Sequence, residues 1–339
     1  MRLVTRADFD GLVCGALITM MEEIDSYLFI EPKFMEDGGV EIRQGDVIAN
    51  LPYHKNCTLW FDHHITNTND WASLIGYSSS ESLVLNAETG DPRPETGLPI
   101  VVPGKGGFRL APSAARVVFE YYTSEGIRQK ATGNTKIQEG LKVLTSDRFT
   151  YLLVETDKID AALLTPEEVL HPEGYVLASM TIDGKFEKDE PYWLRLIELL
   201  RDAPLEELLR EPEVKQRCQR ILDAQGQLKE ILLKCTTQKG NVICVDLRGI
   251  KDIPDGNRFL LYTLFPTGNI SMKIAEDSQR PNTTAISVGY NIFNTTSKVN
   301  VGALMEKHGG GGHKVVGSCR VSDSEAEKAI REIFAAIKE

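Results

Sequence analysis

The sequence of 339 residues contains no apolar run approaching the ~18 residues that a membrane-spanning helix requires, so no membrane segment is expected. Its first ten residues, MRLVTRADFD, lack the apolar core of a signal peptide. Six cysteines, at positions 14, 57, 218, 235, 244 and 319, include no close pair. Their scatter excludes a disulfide framework and a Cys-based zinc site, and suits reduced thiols in a cytoplasmic protein. Internal repeats and low-complexity tracts are absent as well. Positive charge is in short supply: 38 Lys and Arg stand against 49 Asp and Glu, a net charge of −11. A protein that grips long duplex DNA needs a dense basic surface, and this composition disfavours one. Small phosphorylated substrates stay open, because a metal ion can supply the missing charge.

What is present is ordinary globular composition, 42% apolar and 26% charged, in a length that suits about two domains. The charge is uneven. Residues 241–339 carry 12 basic and 11 acidic side chains, so the deficit lies in residues 1–240. Short strands are predicted over 2–5, 26–31 and 57–61, and helices over 11–23, 113–124 and 135–146. A loop or hairpin region is predicted over 76–110. Strands alternating with helices indicate a mostly parallel sheet covered on both faces. Residues 190–236 read as helical and connecting, with Val214, Cys218, Ile221, Leu222, Leu228 and Leu232 at near-helical spacing. A second α/β pattern follows: strands 241–246, 269–275, 284–290 and 316–321, and helices 258–264, 300–308 and 323–338. Ser322 and Glu325 are spaced as a capping box for the last of these. The expected division is 1–188, a helical linker 189–240, and 241–339.

Chemistry-bearing residues collect at predicted strand ends. The first strand runs into Asp8-Phe9-Asp10-Gly11. Two carboxylates in a loop leaving the C-terminal edge of a parallel sheet can converge on a cation. They can equally cap the following helix. A later strand ends in Asp62-His63-His64, where Asp62 can orient one imidazole by accepting its second N–H while the other ring ligates a metal. Asp46 precedes an apolar run between these motifs. Asp157 and Asp160 lie three apart on one helix face, with Lys158 between them. Far downstream, His308 and His313 bracket Gly309-Gly310-Gly311-Gly312, with Lys314 next. Bare glycine N–H groups can form an anion nest, and His313 and Lys314 add donors at its rim. The bland reading is a helix C-cap and a loop.

This ordered set resembles the DHH phosphoesterase family, in the subgroup with a C-terminal DHH-associated domain that is exopolyphosphatase-like and related to nano-RNases and nucleotide 3′-phosphatases. The resemblance covers nearly the whole chain. It implies an α/β fold: a parallel-sheet DHH domain at 1–188, and a smaller mixed-sheet, substrate-binding α/β domain at 241–339 across a cleft. It also implies a metal-dependent hydrolase, with manganese the usual ion. Asp10, Asp46, His63 and Asp157 would hold one metal, with Asp160 the alternative to Asp157. Asp8 and Asp46 would hold the other, Asp46 bridging. His64 would touch the scissile phosphate, Asp62 would orient the histidines, and Gly309–Gly312, His313 and Lys314 would hold the far end of the substrate. Mixed His and carboxylate ligands suit Mn²⁺, Mg²⁺ or Co²⁺. A pair of such ions can activate water and stabilise both oxygens of an in-line displacement at phosphorus.

One departure bears on the metal count. Where many members read His-x-Asp-x-Asp, this chain has Arg6-Ala7-Asp8-Phe9-Asp10. Arginine does not ligate a cation. The expectation is therefore one tight site, with Arg6 paired to Asp8; either Arg6 is a catalytic charge in place of the second ion, or that ion binds only with substrate, or activity has drifted. The leading reading is hydrolysis of phosphodiester or phosphoanhydride bonds in short oligonucleotides, nucleotides or polyphosphate. The other is a nucleotide- or phosphate-binding sensor without turnover.

Overall fold

The structure, a computed structural model, describes residues 1–64, 67, 68, 70, 74, 101, 102, 104–130, 134–183, 187–254, 256–277 and 280–338. Most of the predicted loop region 76–110 lies outside them. The chain forms two compact units, Met1–Leu163 with Glu173–Lys215, and Leu164–Pro172 with Gln216–Glu339.

The first unit is built on a sheet of β1 (Arg2–Thr5), β2 (Ser26–Phe29), β3 (Asp46–Ala49), β4 (Leu59–Asp62), β5 (Val101–Val102) and β6 (Gly106–Phe108), in the order β2-β1-β3-β4-β6-β5. Every pairing is parallel except β5 with β6. β3 and β4 are buried at every position, the pattern of strands covered on both faces. Its helices are α1 (Phe9–Met21), α2 (Pro32–Glu36), α3 (Ala114–Thr123), α4 (Glu125–Lys130), α5 (Thr135–Leu144), α6 (Asp147–Asp160), α8 (Gly174–Ser179), α9 (Glu190–Asp202) and α10 (Leu205–Arg210). α1 is buried from Phe9 to Ile18 and packs against α3 and α9. This enclosure explains why its sequence shows no polar face. The strand order reverses direction at β1, whose neighbours are β2 on one side and β3 on the other. In open α/β sheets the crevice beyond the carboxyl ends of the strands at such a switch point receives ligands.

The second unit contains α7 (Pro166–Leu170), most of α11 (Pro212–Cys235), and a mixed sheet ordered β11-β12-β10-β9-β8-β7. The strands are β7 (Thr236–Lys239), β8 (Val242–Asp246), β9 (Ile270–Glu276), β10 (Thr283–Tyr290), β11 (Gly311–His313) and β12 (Val316–Ser322). Only the β8–β9 pair is parallel. Its other helices are α12 (Leu260–Leu264), α13 (Val301–Glu306) and α14 (Asp323–Ile337). The core joins Val242, Ile270, Met272, Ile286 and Val288 of the sheet to Val301, Met305, Ile333 and Ile337 of the helices. Of the apolar positions predicted on α11, Val214, Cys218, Ile221, Leu228 and Leu232 are buried, and Leu222 faces solvent. The capping box at Ser322 does not form: the Ser322 hydroxyl bonds the Glu325 carboxylate and caps no backbone N–H.

Candidate metal centre

The C-terminal edge of the first sheet gathers the loops that leave β1, β3 and β4. Asp8 leaves β1 and caps α1, its Oδ1 accepting the Gly11 N–H at 2.9 Å. A Cβ at position 11 would run into the Arg6 carbonyl oxygen and the Thr5 hydroxyl. Glycine is thus what lets α1 start this close to the strand. Asp10, in the first turn of α1, is buried. Its carboxylate is gripped by the N-terminus of α3, with Ala114 N–H to Oδ2 and Ala115 N–H to Oδ1, each 2.9 Å. The helix dipole favours a negative charge there.

Asp62 ends β4 and is fully buried. It accepts the His64 Nδ1–H at 2.8 Å and the Asn67 amide at 2.6 Å. His64 is thereby fixed, with Nε2 left for another partner. Its pKa is raised: burial opposes the charge, and the Asp62 hydrogen bond and the charges of Asp62 and Asp160 outweigh that opposition. His63 is held differently. Its Nδ1 lies 2.9 Å from the Ala111 carbonyl oxygen. A carbonyl only accepts, so Nδ1 carries the proton and Nε2 is the nitrogen turned toward the cluster.

That nitrogen is buried and has no hydrogen-bond partner. It faces two carboxylates, Asp160 Oδ2 at 3.5 Å and Asp10 Oδ2 at 3.9 Å. Ligand atoms of Asp10, His63 and Asp160 all lie within 4.8 Å of one another, an arrangement of one imidazole and two carboxylates that can hold a cation. The electrostatics agree. Burial, with the charges of Asp160 and Asp8, drives the Asp10 pKa well up. Burial also raises Asp160, assisted by Asp8 and opposed by His63, His64 and Arg6. A divalent ion placed here would offset this crowded negative charge. The donor set fits Mn²⁺, Mg²⁺ or Co²⁺ and does not suit a thiophilic metal.

The structure brings together Arg6, Asp8, Asp10, Asp62, His63 and His64. It places two expected ligands elsewhere. Asp46 opens β3, in register with Arg2 at the start of β1. It accepts from Arg2 Nε at 3.0 Å, Arg2 Nη2 at 2.6 Å and the Arg43 N–H at 2.8 Å. Four residues of strand, about 13 Å, separate it from the edge that carries the site. The residue at that edge is Asn50, whose amide donates to Asp8 Oδ1 at 3.1 Å. Asp157 is taken by the start of α3: the Ser113 hydroxyl reaches Oδ1 at 2.6 Å, and Arg116 Nε and Nη2 reach Oδ2 at 2.9 and 2.6 Å. One turn on, Asp160 faces His63. Asn50, Asn67 and the Ala111 carbonyl were not legible as site groups. Neither amide is acidic, and a backbone carbonyl has no sequence signature.

The glycine motif is not a bare nest. The N–H groups of His308, Gly309 and Gly310 close the end of α13 on Met305 and Glu306. Gly311 and Gly312 pair with β12. Cβ atoms at 310 or 312 would collide with the β12 backbone, so close packing of backbones explains these glycines. His313 and Lys314 are exposed.

No protein-family model and no curated protein matches the sequence. Among solved structures, the pGpG-specific phosphodiesterase PggH from Vibrio cholerae is 31% identical over 99% of this chain and 98% of its own, with a TM-score of 0.72. An exopolyphosphatase-related protein from Bacteroides fragilis is 13% identical over 98% of this chain and 91% of its own, with a TM-score of 0.46. RecJ from Thermus thermophilus, in complex with Mn²⁺, is 14% identical over 98% of this chain and 51% of its own, also at 0.46. Sequence identity at the level of PggH, sustained from end to end, makes this chain a member of the DHH phosphoesterase family.

Proposed function

We propose that the chain is a metal-dependent phosphodiesterase of short substrates, with a dinucleotide such as pGpG ahead of longer oligonucleotides and polyphosphate. The observation that carries the reading is the buried, partnerless His63 Nε2 aimed at two carboxylates. The substrate preference is supported by the end-to-end similarity to PggH. Asp10, His63 and Asp160 would hold the ion, Mn²⁺ first and Mg²⁺ or Co²⁺ as alternatives. When bound, it would supply Lewis-acid charge at the phosphoryl oxygen and ease deprotonation of water.

The chain's own residues do the rest. The Ala111 carbonyl and the α3 N-terminus fix the orientations of His63 and Asp10. Asp62 keeps the His64 ring turned so that Nε2 meets a phosphate oxygen, and its negative charge favours the imidazolium. Ala111 also lines a cavity of about 590 Å³ with Arg109, Arg116 and Glu120. This hollow beside the metal ligands can receive part of a nucleotide. Residues 1–188 form the catalytic domain in this reading and 241–339 the substrate-binding domain. The Gly309–Gly312 segment shapes the second domain's surface, and His313 and Lys314 supply donors for the far end of the substrate. The partner is thus a small phosphorylated molecule in the cytoplasm, and long duplex nucleic acid is not a substrate.

Incubation of pGpG with the protein and Mn²⁺, followed by chromatography, should show conversion to GMP that stops on chelation. Tight binding of pGpG with no product under Mn²⁺, Mg²⁺ or Co²⁺ would replace this reading by that of a sensor.

A further inference from the structure

Asp8 is a charge neighbour of Asp10 and Asp160 and does not belong to the metal group. Oδ1 accepts from the Gly11 N–H at 2.9 Å and from the Asn50 amide at 3.1 Å. Oδ2 pairs with Arg6 Nη1 at 3.0 Å. Both oxygens are therefore met by hydrogen-bond donors. Asn50 is 1% exposed and stands where the chain leaves β3, in the left-handed region at φ 57°. Asparagine tolerates that conformation better than most residues. Its amide donates to Asp8 and brings no charge of its own. Among the described residues, Asp10, His63 and Asp160 are the one group whose ligand atoms converge. A second divalent ion bound through Asp8 Oδ2 would have to displace the Arg6 guanidinium that pairs with it.

We propose that Arg6 supplies the second positive charge of this site, touching the substrate phosphate beside a single divalent ion, and that Asn50 makes this arrangement possible by bonding Asp8 without adding a carboxylate. The proposal rests on the metal-dependent reading above. The Arg6 side chain is 29% exposed, so it reaches both the cluster and solvent. Its Nε is buried without a partner. Its Nη2 makes a long 3.4 Å contact with Glu31, a carboxylate 57% exposed. A phosphate oxygen can take over the Glu31 contact, and the planar guanidinium keeps N–H groups free for it. Burial works against the charge on Arg6, and Asp8, Glu31 and Asp160 together overcome it. Arg6 makes and breaks no bond in the reaction. It balances charge on the non-bridging oxygens while water adds to phosphorus and the ester oxygen departs.

Metal stoichiometry tests this separately from activity. The protein is freed of metal by a chelator, reloaded with Mn²⁺, dialysed, and examined by elemental analysis and electron paramagnetic resonance. One equivalent with the spectrum of isolated Mn²⁺ is expected. Arg6→Gln should keep that equivalent and lose about 100-fold or more in kcat, the size of removing one preorganised donor from a transition state. Arg6→Lys should recover part of the loss. Arg6→His combined with Asn50→Asp should take up a second equivalent and show spin coupling between the ions. Two equivalents or coupled spins in the wild type would overturn the role of Arg6 and leave the metal-dependent reading standing. No retained Mn²⁺ at any concentration would overturn both. Unchanged kcat in a folded Arg6→Gln variant would overturn the role of Arg6 alone.

Discussion

The two edges of the first sheet use the same residue types to opposite ends. At the amino edge, Arg2 and Asp46 form an ion pair in which Asp46 also accepts the Arg43 N–H. At the carboxyl edge, Arg6 pairs with Asp8, and beyond that pair Asp10, Asp160 and His63 leave a buried nitrogen unanswered. Both edges hold buried carboxylates. Asp46 and Asp10 each accept hydrogen bonds at both oxygens, so what separates the edges is the buried His63 Nε2, which has no hydrogen-bond partner. A closed hydrogen-bond inventory fixes the strand; an open one is capacity reserved for a ligand.

Substitutions at the two edges should break this contrast cleanly. His63→Ala removes the only neutral ligand of the proposed ion, and Mn²⁺-dependent turnover should fall by ~10³-fold or more, with circular dichroism unchanged. At the other edge, Asp46→Asn leaves the Arg2 charge without its partner; urea titration should show a loss of about 3 kcal/mol, with Mn²⁺ affinity held. The next effect is intermediate. Mn²⁺ at 100 times its Kd should stabilise the wild type by about 2.7 kcal/mol. Thermal scans should find the same shift in Asp46→Asn and none in His63→Ala. A shift lost in the Asp46 variant would mean that the edges are coupled. The smallest effect sharpens the division within α6. Asp157→Asn should lower stability by about 1–2 kcal/mol through its bonds to Ser113 and Arg116, and calorimetry should show Mn²⁺ binding intact, whereas Asp160→Asn should abolish it.

Much of the fold was legible. Strand boundaries at 2–5 and 57–61 fall within two residues of β1 and β4, because short β-branched and aromatic runs between turn residues leave little choice. The Arg6–Asp8 pair followed from charge and sequence proximity. The arrangement of the candidate site was legible only in part. Asp46 opens β3 and Asn50 directly follows it, and sequence favours the acid. The sheet decides otherwise, because in parallel topology only the residue after the strand reaches the carboxyl edge. Asp157 and Asp160 share a helix face, and their roles are separated by Arg116, 41 residues from Asp157 in sequence and adjacent to it in space. The glycine run suggests an anion nest in sequence, and the structure spends its N–H groups on the end of α13 and on β12. The cause of the run, crowding against β12, depends on a pairing that no local pattern encodes.

The short segment before and at the start of α3 has a consequence for how this protein can drift. It steadies the candidate metal centre through backbone atoms: the Ala111 carbonyl on His63, and the Ala114 and Ala115 N–H groups on Asp10. Position 111 can therefore accept other side chains that fit without disturbing the bond that sets the His63 tautomer. Deleting or inserting one residue between 111 and 114 would move the carbonyl and the amides out of step with each other and misplace two ligands at once. Proline at 115 would remove a single N–H with nearly the same result. This stretch thus tolerates change in composition far better than change in length, and damage to the centre can arise where no ligand has been altered.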